Sequence, residues 1–217
     1  MAFFSQAIGN AALTGVAIGV LIGESYTAPY VSMFSFCLLF GIVLNYTKPR
    51  TRMSADTLIG VFLSISLAVG ASLVLYVSAR VNTHILESVM FGSILTVSDL
   101  DMNVLLVVTI ITLVVGLPLY NKMLLGSLNP SLAQVRGVNV QAIEYVFIVL
   151  VTLITVACVK IIGAVLVEAL LLIPAAAARN LCRTLRSFVY TTMVLATLSC
   201  IGGIWIPMQW DIPVPSG

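Results

Sequence analysis

The 217-residue chain is 60% hydrophobic and 8% charged, with a net charge of +2. Soluble domains carry about 25% charged residues, so a mean hydropathy of +1.15 excludes a water-soluble globular domain and implies an integral membrane protein. The small net charge gives no footing for a nucleic-acid partner. The sequence lacks GxxxxGK[ST], HExxH and GxSxG, which argues against ATP hydrolysis or hydrolase catalysis by this chain.

Seven apolar segments follow one another, at 7–23, 28–46, 57–79, 104–120, 143–162, 163–178 and 188–206. Several approach the ~20 residues a spanning helix needs. The reading is therefore all-α: one transmembrane domain over 1–217, a polytopic bundle of about seven membrane segments. The first and sixth segments are short and rich in Gly, Ala or Pro, the composition of broken or tilted helices.

The first segment opens on SQAIGNAALTG, with Gln6 and Asn10 four residues apart and so on one helical face. Neutral amides cost less in a bilayer than ions, and interhelical amide bonds there average about 0.6 kcal/mol. Gly9, Gly15, Gly19 and Gly23 also offer close helix packing. These residues alone leave pore lining and packing both open.

The basic residues set the orientation. Lys48, Arg50 and Arg52 follow the second segment, Lys122 and Arg136 the fourth, and Arg179, Arg183 and Arg186 the sixth. These alternate loops lie on one side and hold eight of the ten Lys and Arg; Arg80 and Lys160 are on the other. The positive-inside rule makes the basic side, and with it the N-terminus, cytoplasmic. Lys160 is expected in the external turn between the fifth and sixth segments, its charge snorkelling to the interface.

The external loop, 80–103, contains ILESVMFGSILTV, amphipathic enough for a short interfacial or re-entrant helix. It also holds His84, Glu87, Asp99 and Asp101. Such residues bind zinc or manganese; as a functional group they would dock an external partner or admit an ion, and otherwise they are a solvated loop. On the cytoplasmic side, the Asn129-Pro130 turn signal precedes SLAQV, a short helix expected to end at Arg136-Gly137. That is where a soluble partner would dock.

Glu168 lies in GAVLVEALLLIPAAAARN, six residues before Pro174. A charge at the centre of a membrane helix costs about 2.5 to 3.5 kcal/mol, so such residues face a cavity, a partner or an ion path. A protonated Glu packed against another helix is the alternative. Pro174 clashes with the carbonyl of Leu170, and a break there would leave carbonyls able to coordinate a cation. Cys37, Cys158, Cys182 and Cys200 form no CxxC pair and lie mostly in apolar runs, which reads as buried small residues rather than disulfides or metal ligands.

Four stretches in order, SADTLIGVFLSISLAVG, FGSILTVS, NPSLAQVRGVNV and GAVLVEALLLIPAAAARN, resemble the membrane permeases of ATP-binding-cassette importers for zinc, manganese and iron. The resemblance implies a homodimer of permeases in a bacterial or archaeal-type cell (inner) membrane. It also implies a cytoplasmic ATPase that binds ATP, and an extracytoplasmic metal-binding protein. The cargo would be a divalent metal, with no cofactor bound by this chain. Ser131, Leu132, Ala133, Gln134, Val135, Arg136 and Gly137 would form the coupling helix. Where the family typically has Asp and, four residues on, His, this chain has Gln6 and Asn10. Glu168 stands where many relatives have a small residue. The expectation is a transport pathway of Gln6, Asn10 and Glu168, with Glu168 as the metal-attracting charge moved from the first segment to the sixth. The family also usually has an apolar helix on either side of this stretch, so the chain reads as a truncated permease. A non-metal ABC permease, an ion-coupled secondary transporter and an inactive remnant are the other readings.

Overall fold

The computed structural model describes residues 2–24, 29–51, 53–78, 92, 97–128, 130–182 and 184–210. Eight helices run through these residues: α1 (Ala2–Ile22), α2 (Tyr30–Thr47), α3 (Ala55–Ser78), α4 (Asp99–Leu128), α5 (Pro130–Val135), α6 (Val140–Ile162), α7 (Ala164–Leu181) and α8 (Leu185–Trp210). Six of them are long and apolar enough to cross a membrane. The seventh segment expected from hydropathy is α8, whose apolar stretch is Ser187–Gly203.

The helix α1 is the centre of the bundle. Of its membrane-length stretch 72% is buried inside the protein, against 6% for α4. It packs against α2, α3, α6 and α7. Small residues make this possible, because helices in lipid associate by close van der Waals contact rather than by a hydrophobic force. A Cβ on Gly15 would lie 3.0 Å from Met33 Cα, and one on Gly19 would lie 3.0 Å from Ser32 Cβ. The interlocking core joins Ile8, Ala11, Ala12 and Val16 of α1 to Met33, Cys37, Val156, Val159 and Val167. By contrast α4 faces outward, with Leu106, Ile110, Val114 and Leu117 exposed as expected for a lipid-facing helix.

Of the broken or tilted helices expected at the first and sixth segments, neither is broken. Segment one is a single helix that starts at Ala2, five residues earlier than expected, and α7 runs without interruption through Pro174. Neighbouring helices can accommodate the lost donor of a membrane proline, and Pro174 is buried among them. Lys160 is not in a turn: it belongs to the last turn of α6. The whole connection between α6 and α7 is Gly163. At φ +89° and ψ 154° Gly163 occupies a region that is essentially glycine-only. Its N–H donates to Val159 O at 2.9 Å, closing α6, and its carbonyl accepts from Val167 N at 3.1 Å, opening α7. Gly92 packs on this junction. It has φ +71°, and a Cβ there would fall 2.4 Å from the Ile162 carbonyl carbon. The expected interfacial helix around it lies outside the described residues.

Side-chain ties hold both ends of the bundle. On one side Lys48, which caps α2, pairs with Glu144 in the first turns of α6. On the other, Glu24 accepts from Val31 N at 3.1 Å and from the N–H and hydroxyl of Ser32, capping α2. The Ser32 hydroxyl bond holds the Glu24 carboxyl below the usual carboxylate range.

Replacing Gly163 by Ala is expected to cost about 1–3 kcal/mol through backbone strain. It should lower the melting temperature of the detergent-solubilised protein. The exposed helical Gly60, where a Cβ would meet nothing within 4 Å, should accept Ala without loss.

Candidate functional site

Two elements bring the polar side chains of the membrane interior together. Gln6 lies in the second turn of α1, and Glu168 in the second turn of α7. The Gln6 amide lies within reach of the Glu168 carboxylate. Between them lies Gly9: a Cβ there would be 3.7 Å from Glu168 Oε1 and 3.9 Å from Ala164 Cβ. The missing side chain lets the carboxylate lie directly over the α1 backbone. Asn10 is half-buried one turn beyond Gln6. The α1–α7 contact thus brings Gln6 and Glu168 to one place, with Asn10 on the adjoining turn of the same face.

The chemistry of this pair follows from its groups. Toward an ionised carboxylate the Gln6 amide donates through its NH2, and the carboxylate oxygens keep lone pairs for a further partner. One negative charge in an apolar bundle attracts a cation. Carboxylate and amide oxygens are hard donors suited to manganese-like ions. Among the described residues no group of three or more His, Cys, Asp or Glu could hold a metal.

The short cytoplasmic helix expected after Asn129-Pro130 is α5. It begins at the proline itself, which suits the first helical position because its missing N–H would be unpaired there anyway. Its end is a Schellman motif. Gly137 at φ +72° donates to Gln134 O at 2.9 Å, and Val138 N donates to Ala133 O at 3.0 Å. Ala133 is fully buried, whereas Leu132 is 48% and Val135 88% exposed. Three residues apart, the two present one apolar ridge. Ser131, Gln134, Arg136 and Gly137 are exposed around it.

The four external residues divide. His84 and Glu87 lie outside the described residues. Asp99 is exposed at the first position of α4, and Asp101 is only 8% exposed. The Asp101 carboxylate accepts from the Tyr30 hydroxyl, and through Oδ2 from Ser98 N at 2.9 Å. With Ser98 Oγ accepting from Leu100 N at 3.4 Å, this caps α4 and ties it to α2. The Lys160 ammonium lies 6.0 Å from the Tyr30 ring centroid. The sequence carried no signal for this association, since Tyr30 and Asp101 are 71 residues apart. The cysteines are free thiols; Cys37 is buried as expected, but Cys158 and Cys182 are half-buried and Cys200 is exposed on α8.

The family model described as the ABC 3 transport family matches residues 1–217. The chain is 30% identical to the manganese import system permease protein ScaB of Streptococcus gordonii over 216 residues, which is 100% of this chain and 76% of that protein. It is also 30% identical to the high-affinity zinc uptake system membrane protein ZnuB of Haemophilus influenzae, over 97% of this chain and 79% of that one. Among solved structures, PsaBC from Streptococcus pneumoniae in complex with Fab is similar at a TM-score of 0.78 and 28% identity, over 98% of this chain and 74% of that chain.

The contact at Gly9 makes a size-dependent prediction. Gly9→Ala should leave the melting temperature of the purified protein nearly unchanged, since the added carbon finds ordinary contact distances. Gly9→Leu should lower it clearly, because the side chain must displace Glu168 from Gln6.

Proposed function

The chain belongs to the ABC 3 transport family, and from that membership we propose that it is the membrane permease subunit of an importer carrying a divalent metal ion inward across a bacterial cell membrane. It is a transport subunit and not an enzyme, and ATP is hydrolysed by a separate ATPase. The observation that carries the reading is the approach of the Glu168 carboxylate to Gln6 and Gly9, which sets a carboxylate against the polar face of α1.

The finer assignments follow from charge and geometry. The side that holds Lys48, Lys122, Arg136 and Arg179 is cytoplasmic, which places the N-terminus of α1 and all of α5 inside. The Leu132–Val135 ridge of α5 is the docking point for the ATPase. Gln6 and Asn10 are polar and only half-buried, so a second permease copy covers them in the membrane and completes the path. An extracytoplasmic metal-binding protein delivers the ion on the face of Asp99. Selectivity resides largely in that delivery, and Glu168 supplies a weak, transient attraction.

Uptake of radiolabelled manganese and zinc by cells expressing the chain with its ATPase and binding protein tests the reading. Glu168→Gln keeps the size and a hydrogen-bonding group while removing the charge. It should abolish most uptake while membrane levels stay constant. Unchanged uptake in Glu168→Gln would remove Glu168 from the path, and no metal uptake by the wild-type complex would overturn the metal assignment. For the docking ridge, Val135→Asp should prevent co-purification of the ATPase with the permease, whereas Ser131→Ala should not.

A further inference from the structure

The polar face of α1 does not stop at Asn10. Its polar side chains are Ser5, Gln6, Asn10 and Thr14, and the last three, four residues apart, trace one slowly turning line. Gln6 and Asn10 are half-buried, whereas Thr14 is fully buried. The line therefore runs from an accessible end to an occluded one.

At the occluded end it meets α3. The Thr14 hydroxyl donates to the Ser66 carbonyl at 3.1 Å. Gly70, one turn further along α3, makes room: a Cβ there would lie 2.6 Å from Thr14 Oγ1. Ser66 is itself 3% exposed, and its hydroxyl has no hydrogen-bond partner. This sets it apart on its own helix. Ser64 and Ser72 both bond back to the carbonyl four residues earlier, at 3.0 and 2.8 Å, the usual way a serine is satisfied in a helix. A buried hydroxyl without a partner in a membrane interior is costly and calls for a water, an ion or a functional role. The second such hydroxyl among the described residues, on Thr152, faces Gly41 among Ile148 and Ile8.

We propose that Thr14 and Ser66 form the closed constriction of the translocation path, where their hydroxyl oxygens replace hydration waters of a divalent cation on its way to Glu168. The inference rests on the transport reading above. Hydroxyl oxygens are hard, neutral and weak ligands, suited to a step the ion must leave quickly. The Thr14 hydroxyl and the Ser66 carbonyl meet between α1 and α3, and the same Ser66 carries the buried, unpartnered hydroxyl; opening the α1–α3 contact would expose them.

The test uses Ser66→Cys in a chain whose four native cysteines are replaced by Ala, assembled with its ATPase and binding protein. A membrane-impermeant thiosulfonate reagent should label Ser66→Cys during ATP turnover and not at rest, and manganese should slow the labelling several-fold. In parallel, Thr14→Val should lower the maximal rate of uptake several-fold with little change in the half-saturating concentration, and Thr14→Ser, which keeps the hydroxyl, should restore it. No labelling under turnover, or full uptake by Thr14→Val, would overturn the constriction. Labelling during turnover that manganese, zinc and iron(II) all leave unchanged would instead keep Ser66 on a path and overturn the divalent-cation reading beneath it.

Discussion

Lipid tails are as apolar as leucine, so nothing expels α1 from lipid into the middle of the bundle; it stays there because its neighbours can come close enough for dispersion forces to hold it. Gly15 and Gly19 bring α2 against it, Gly70 brings α3, and Gly9 with Ala164 brings α7. Larger side chains at these points would push the helices apart. The polar contacts of α1 depend on this approach. Glu168 meets Gln6 because Gly9 leaves space for the carboxylate, and Thr14 meets Ser66 because Gly70 carries no side chain. The other ties, Lys48 to Glu144 and Tyr30 to Asp101, lie at the ends of the membrane-length helices.

The placement of charge inside the bundle is sparing. The Glu168 carboxylate faces the polar side of α1, and its neighbour there is the neutral Gln6 amide. On the proposed path, a fixed cation there would neutralise the field that is to draw an ion in, and several carboxylates would hold an ion too long. An amide does neither: it orients the carboxylate and leaves its charge. Under the proposed function, with cargo delivered by another protein and motion driven by an ATPase, such a path only has to lower a barrier.

The helices were legible because a bilayer demands long apolar stretches, and the seven segments expected from hydropathy each correspond to a helix. The short α5 was legible for a local reason. Pro130 and Gly137 bracket it, and both act through their own backbones. Helix integrity was less legible. Glycine and proline in segments one and six suggested breaks, yet α1 and α7 are continuous. In water those residues weaken a helix, whereas inside a packed bundle the same glycines give the close contacts that hold it. The length of α4 was also underestimated. Its 30 residues extend about 45 Å, beyond the apolar stretch that hydropathy detects.

The sequence by itself determined what is local or additive: membrane insertion, the order of the apolar helices, the distribution of basic loops, the short helix α5, and Gln6 with Asn10 on one face. It also marked Glu168, because an acid in an apolar run is costly wherever it lies. Only the tertiary structure decided which residues meet. Glu168 lies against Gln6, Asp101 turns inward to Tyr30 rather than out to solvent, and the Ser66 hydroxyl is left unpartnered beside Thr14. These are contacts between helices far apart in the chain. They depend on crossing and rotation set by the small residues of every neighbour at once, and no periodicity within a single segment encodes them.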